Sequence, residues 1–73
     1  MTYRITEQVN GGTEHVIANG IRSKIRAAIA LARDYNLYYS DEEDLIQSGA
    51  ITVMDGAGQP MVLRVRKNPR QRH

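Results

Sequence analysis

Cysteine, phenylalanine and tryptophan are all missing from this chain of 73 residues. Without cysteine, neither a disulfide nor a Cys-ligated zinc can hold so small a fold together. The core must therefore be built from aliphatic side chains and the four tyrosines. A chain of this size buries only about 60% of the surface that its unfolded form exposes. We expect one small domain of modest stability, which a partner or a homodimer would help.

A long apolar run is missing too. A membrane-spanning helix needs about 20 mostly apolar residues, and no stretch of the sequence comes near that length. The N-terminal segment MTYRITEQV lacks the apolar centre of a secretory signal peptide. Together with the absence of cysteine, these features predict a cytoplasmic protein that does not contact a membrane.

What the sequence does contain is charge, arranged in blocks. Ten Lys and Arg against eight Asp and Glu give a net charge of +2. Residues 22–33 carry only basic charges, Asp41–Asp44 are all acidic, and no acidic residue follows Asp55. The distribution of charge, more than its total, therefore indicates where partners bind.

The first third of the chain has the pattern of a β-hairpin. Apolar and polar residues alternate from Tyr3 to Val9, with Glu7 as the one polar residue on the apolar side. Asn10-Gly11-Gly12 is a strong turn signal, because these residues accept positive φ angles at little cost. Thr13–Ala18 is predicted as the second strand, which Asn19-Gly20 should end.

Helical spacing follows from Ile21 to Tyr35, with Asn19 or Ser23 as the predicted N-cap and Asn36 as the C-cap. Small alanines on the apolar side would let this helix pack closely on a sheet. At about 100° per residue, the predicted apolar face consists of Ile21, Ile25, Ala28, Ala32 and Tyr35, with Ile29 and Leu31 at its flanks.

A second, very short helix is predicted next. Ser40 and Glu43 fit the capping box S-x-x-E, in which each side chain accepts a hydrogen bond from the backbone N–H of the other residue. Gly49 is the predicted end of the helix, because glycine is common just after the last helical residue. Ile51–Met54 and Met61–Val65 are predicted as two strands joined by a glycine-rich loop, which makes a second hairpin.

These elements predict the order ββ-α-(α)-ββ and an α+β fold: a four-stranded, mostly antiparallel sheet of two β-hairpins, with one long helix packed on one face and a short capped helix. We expect one domain over residues 1–66 and a flexible basic tail over residues 67–73. The open face of the sheet should be polar and basic, carrying Arg4, Thr6, Gln8, Val62, Arg64 and Arg66.

The run Asp41–Asp44 is the first candidate for chemistry. A calcium loop needs oxygen ligands at alternating positions around a glycine, whereas consecutive residues on a helix point about 100° apart and cannot converge on one ion. Nothing nearby marks a pocket that would raise the pKa of one carboxylate for acid–base catalysis. Helix capping or an acidic contact surface explains the run better.

No other pattern predicts an enzyme. His15 and His73 lack a second ligand at a metal-binding spacing, and the serines lack a G-x-S-x-G elbow. Asp55–Gly58 contains G-x-G between two strands, without the rest of a nucleotide-binding motif. We expect no catalysis, no metal and no cofactor.

Two groups of residues are candidates for contact with a protein. The first combines tyrosines, which are enriched in binding hot spots, with carboxylates that suit a basic partner; this acidic-aromatic surface consists of Tyr38, Tyr39, Asp41, Glu42 and Glu43. The second lies within roughly 40° on the predicted long helix; this arginine stripe consists of Arg22, Arg26 and Arg33. Both groups also have ordinary explanations, the tyrosines as a cover over the edge of the core and the arginines as a solvated helix face.

Nucleic acid is the alternative partner. Basic residues near the C-terminus have no acidic neighbours and can bind phosphates electrostatically; they are Arg64, Arg66, Lys67, Arg70 and Arg72. The mild net charge argues against a dedicated DNA-binding domain, so this hypothesis is an accessory module that uses the basic tail and the open sheet face.

The order of hairpin, helix and hairpin, with a glycine-rich second hairpin that ends in basic residues, resembles the layout of several very small phage-encoded proteins. Some anti-CRISPR inhibitors of the multi-subunit type I surveillance complexes are among them. Ile21–Tyr35 and Ile51–Val65 carry the likeness, which is one of layout and size and assigns no residue a role. It implies a non-catalytic inhibitor that binds protein subunits normally occupied by nucleic acid. The leading hypothesis is therefore a phage or mobile-element protein that blocks a nucleic-acid-binding surface of a host protein or protein complex.

Overall fold

The computed structural model describes residues 1–69, which form four strands and two helices. In chain order they are β1 (Tyr3–Val9), β2 (Glu14–Ile21), α1 (Lys24–Asp34), α2 (Tyr39–Ser48), β3 (Ala50–Met54) and β4 (Pro60–Lys67). Neighbouring strands are antiparallel, in the order β2-β1-β4-β3. The predicted α+β fold with two hairpins is confirmed, although the helices are nearly equal in length, at 11 and 10 residues.

The first hairpin turns at Asn10 and Gly11, whose φ angles are both positive, at 50° and 71°. The N–H of Gly12 donates to the carbonyl of Val9 at 2.9 Å and closes the turn. Gln8 and Glu14 are the paired residues nearest to it.

Strand β2 is longer than predicted, because Asn19-Gly20 bulges the strand instead of ending it. Gly20 has a φ of 72°, and the register between β1 and β2 shifts at this point. A glycine in the left-handed region is a common first residue of a bulge. The strand continues to Ile21, and α1 begins at Lys24 with Ser23 as its N-cap.

The core lies between one face of the sheet and the two helices. Its buried hydrophobic residues are Ile5, Ala27, Ala28, Leu31, Leu45, Ile51, Met61, Leu63 and Val65. The buried face of α1 differs from the predicted one, since Ile25 is 55% exposed and Leu31 only 1% exposed. Helix α2 packs against α1, so the buried side of α1 is shared between the sheet and a second helix.

Helix α2 begins two residues earlier than the capping box predicts. Its N-cap is Tyr38, whose backbone N–H donates to Oδ2 of Asp41 at 3.2 Å. Ser40 therefore lies in the first turn, and the predicted box of Ser40 and Glu43 is wrong. The C-terminal end agrees with the prediction, because α2 stops before Gly49, which has a φ of 82°.

Strand β4 extends to Lys67, so the predicted tail begins inside the fold. The backbone N–H of Asn68 donates to the carbonyl of Thr2 at 2.9 Å. The Asn68 side chain also donates to Thr2 Oγ1 and to Asn19 Oδ1. Residues 70–73 of the predicted tail lie outside the described part of the chain.

Candidate functional site

The two tyrosines of the acidic-aromatic surface are largely exposed. Tyr38 precedes α2 and is 80% exposed, and Tyr39 is the first residue of α2 and is 74% exposed. Rings this exposed do not cover the edge of the core, which was their ordinary explanation. Tyr side chains bury a large area at low entropic cost when a partner covers them, so this pair has the properties of an interface anchor.

Helix α2 spreads the neighbouring carboxylates around its axis. Glu43 lies one turn after Tyr39, about 40° from it on the outer side, and is exposed. Asp41 and Glu42 are half-buried. Asp44 is also exposed, although sequence reasoning left it out of the surface. The outer side of α2 thus carries Tyr39, Glu43 and Asp44, with the two other carboxylates at its flanks.

The carboxylates at the start of α2 have a structural role as well. Asp41 and Glu42 lie in the first turn, where negative charge meets the positive end of the helix dipole. Within residues 1–69, no group of three or more His, Asp or Glu side chains is placed to hold a metal ion.

The arginine stripe is only partly a helical surface. Arg22 lies in the bend before Ser23, outside α1, so its predicted place on the helix is wrong. Arg26 and Arg33 are exposed on the outer side of α1, about 20° apart around the axis and about 10 Å apart along it. Arg33 is in the last turn, where a cation stabilises the helix dipole.

The open face of the sheet carries the side chains predicted for it: Arg4, Thr6, Gln8, Val62, Arg64 and Arg66. The register pairs Arg4 with Arg66 directly across β1 and β4, and Thr6 with Arg64. Three arginines from the two central strands therefore share this face, which we name the basic sheet face. Like charges directly opposite each other destabilise a sheet unless another group compensates them.

The structure brings together two of the five residues predicted to contact nucleic acid. Arg64 and Arg66 are both on the basic sheet face. Lys67 is on the other side of β4, since successive side chains of a strand alternate. Arg70 and Arg72 lie outside the described residues 1–69.

Glu14 compensates two of these arginines, and sequence reasoning missed it. Its carboxylate accepts hydrogen bonds from Nε and Nη2 of Arg66, and from Nη1 of Arg64 at 3.4 Å. The hydrogen bond from Arg66 is the main reason that the pKa of Glu14 falls from 4.5 to about 2. The pairing of the first hairpin could have predicted this position of Glu14. It places Glu14 opposite Gln8, and paired residues lie on the same face of a sheet.

Arg4 has only neutral partners among residues 1–69. Its Nη1 donates to Oδ1 of Asn68 at 3.0 Å and to the carbonyl of Lys67 at 3.4 Å. Within the described part of the chain, three guanidinium groups on this face meet one carboxylate, which leaves a surplus of two positive charges.

Comparison with known proteins adds no relative. No protein-family model matches the chain, no curated protein matches its sequence, and no solved structure matches its fold. None of the helices formed by residues 1–69 is long and apolar enough to cross a membrane.

Proposed function

We propose that this chain is a small non-catalytic protein that uses the acidic-aromatic surface to cover a basic, nucleic-acid-binding surface of another protein or protein complex. An inhibitor encoded by a phage or mobile element, of the anti-CRISPR type, would act in this way. One observation carries the proposal: two adjacent tyrosines are 80% and 74% exposed beside a block of carboxylates.

The chemistry of such a contact is specific. Nucleic-acid-binding surfaces are rich in Lys and Arg. Glu43 and Asp44 offer these cations the negative charge that phosphates would otherwise supply. Tyr38 and Tyr39 can stack on guanidinium groups, and cation–π contacts strengthen when water is excluded. Because three of these residues are on one helix, their backbone positions are fixed relative to one another, which lowers the entropic cost of binding.

The test is a binding measurement with two matched variants. The chain is immobilised and exposed to lysate of the organism that it would inhibit, and retained proteins are identified and purified. Tyr39→Ser combined with Glu43→Gln should weaken the affinity for the purified partner at least about tenfold, as loss of a hot spot does. Arg26→Gln combined with Arg33→Gln changes the arginine stripe instead. Comparing the affinities of the two double variants shows which of the two predicted surfaces contacts the partner.

Competition decides whether the partner's nucleic-acid site is the one covered. Duplex DNA or RNA that the partner binds should displace the chain. Equal affinity of the wild type and the Tyr39/Glu43 variant would contradict the proposed surface, and lack of competition would contradict blocking.

A second candidate function rests on a different observation, the three arginines that share the basic sheet face. Arg side chains bind phosphates in a bidentate manner. The chain would then be an accessory module that contacts the nucleic-acid backbone, with the basic C-terminal residues adding to the attraction. Its binding should be measurable at low salt and should weaken steeply as salt rises.

A further inference from the structure

Glu14 occupies the point at which the donors of the basic sheet face converge. Arg66 holds its carboxylate with two parallel N–H donors, Nε and Nη2. Nη1 of Arg64 donates to Oε1 of Gln8 at 2.7 Å and also lies 3.4 Å from Oε1 of Glu14. This forked geometry is the one with which Arg recognises both carboxylates and phosphates. The side chains of Arg64, Arg66 and Glu14 are 27%, 42% and 26% exposed, so the cluster is open to solvent.

A buried hydroxyl lies beside the cluster. Thr6 is 1% exposed and lies opposite Arg64 in the sheet. Its Oγ1 is buried and makes no hydrogen bond of standard geometry within residues 1–69, although it is near enough to Glu14 to help lower the pKa of that carboxyl. The Thr6 hydroxyl is therefore a further donor for an anion that replaces the carboxylate.

We propose that Glu14 is a built-in competitor that occupies a phosphate-binding site formed by Arg64, Arg66 and the hydroxyl of Thr6. A phosphodiester of nucleic acid binds by displacing the Glu14 carboxylate from the two guanidinium groups. The proposal rests on the second candidate function, that the basic sheet face contacts a nucleic-acid backbone. It adds the position of one phosphate and predicts that the intact chain binds more weakly than a chain without the Glu14 carboxylate.

A phosphodiester fits this face better than an acidic protein segment does. A nucleic-acid strand carries a regularly repeated charge, and Arg4 extends the positive charge of the cluster along the same face, directly opposite Arg66. The sequence continues beyond β4 with Arg70 and Arg72 and has no acidic residue after Asp55. Such an extended basic distribution suits a polyanion.

The probe for the experiment is a fluorescein-labelled oligothymidylate, whose binding is measured by anisotropy over a range of salt concentrations. Glu14→Gln removes the carboxylate from Arg64 and Arg66 and should tighten binding at low salt about tenfold or more. The plot of log affinity against log salt should steepen by about 0.7, the contribution of one phosphate contact with a single strand. Asp34→Asn makes the same change of charge at the end of α1 and should shift affinity less than about twofold, because exposed charges this distant are screened.

The possible outcomes distinguish failure of the proposed phosphate site from failure of the candidate function, nucleic-acid binding. If Glu14→Gln and Asp34→Asn bind equally, Glu14 is not a competitor, even where the wild type binds and the candidate function stands. If no variant binds oligothymidylate, the candidate function fails and the site fails with it. If Glu14→Gln prefers polyglutamate to oligothymidylate, the site is one for acidic protein and the assignment to nucleic acid is wrong.

A measurement on the wild type guards against a variant that fails to fold. Saturation with oligothymidylate should shift the NMR signal of Arg66 Nε and raise the pKa of Glu14 from about 2 towards its ordinary 4.5, because the carboxylate loses its two guanidinium partners. An unchanged Glu14 pKa in the saturated chain would overturn the displacement.

Discussion

Glu7 is a half-buried carboxylate on the apolar side of the sheet, where a polar group needs a hydrogen-bond partner. The hydroxyl of Tyr35, just after α1, donates to Oε2 of Glu7 at 2.8 Å. Burial, followed by this hydrogen bond, raises the pKa of Tyr35 from 10.0 to about 12. The contact joins the end of α1 to β1, which are far apart in sequence.

Tyr35→Phe should lower the free energy of unfolding by about 1 kcal/mol, the usual contribution of one hydrogen bond, because Glu7 would lose its partner in a half-buried position. Urea denaturation at neutral pH measures the change. Tyr38→Phe removes a hydroxyl from a ring that is 80% exposed and should change stability by less than about 0.5 kcal/mol. Equal effects of the two variants would contradict the role of the Tyr35–Glu7 contact.

Alkaline pH gives a second readout of the same pair. The pKa of Tyr35 is raised in the folded state, so the folded state holds the phenolic proton more tightly than the unfolded state. This contribution to stability is complete below pH 10 and is lost as pH rises towards about 12. The Tyr35→Phe variant should lack this part of the alkaline destabilisation, which urea titrations at several pH values would detect.

Among the elements, the two hairpins could be predicted from local sequence patterns, whereas the buried faces of the helices could not. Alternation and the Asn-Gly turn sufficed for β1, and the alternation of Met61, Leu63 and Val65 was confirmed by their burial. Helix α1 contacts α2 as well as the sheet, and the periodicity of one helix contains no information about this second contact.

The residues of the candidate sites also differ in how well the sequence predicted them. Strand alternation was enough to assign the arginines of the basic sheet face. The exposure of Tyr38 and Tyr39 depended on where α2 begins, and the sequence pattern indicated a later start. Glu14 was missed because its role arises from the register of β1 with both neighbours, through which Arg64 and Glu14 come to the same face.

The two helix caps allow a direct test of these boundaries. Ser23 Oγ accepts a hydrogen bond from the N–H of Arg26 at 3.0 Å, so Ser23→Ala should destabilise the protein by about 1 kcal/mol. Ser40 is within the first turn of α2, and Ser40→Ala should change stability by less than about 0.5 kcal/mol. Thermal or urea unfolding of both variants measures the difference. A larger loss for Ser40→Ala would favour the capping box predicted from sequence over the observed start at Tyr39.

At the scale of the whole molecule, the charge blocks of the sequence lie on different layers. The exposed carboxylates are on a helix that covers one side of the sheet, whereas the basic sheet face is the side without helices. The two candidate surfaces can therefore be altered independently. Substitutions far apart and without shared partners have additive effects, so variants of the two surfaces can also be combined.

The two ends of the described chain meet at the centre of the sheet, where β1 and β4 are neighbours. Asn68 joins them: its side chain donates to Thr2 and to Asn19 and accepts a hydrogen bond from Arg4. These contacts span the first two strands and the last one. The residue therefore closes the fold, although it follows the last strand and looks in the sequence like part of a tail.

Asn68→Ala should lower the free energy of unfolding by about 1 to 2 kcal/mol, because two or three net hydrogen bonds of modest strength are lost at a partly solvated position. Gln59→Ala is the matched control, since Gln59 is exposed in the loop between β3 and β4 and should change stability by less than about 0.5 kcal/mol. Urea denaturation compares the two. Amide hydrogen exchange should also rise at the paired ends of β1, β2 and β4 in the Asn68 variant and stay unchanged in the control. If both variants unfold at the same urea concentration, the end of β4 does not hold the fold together, and the domain boundary at residue 66 predicted from sequence is the better description.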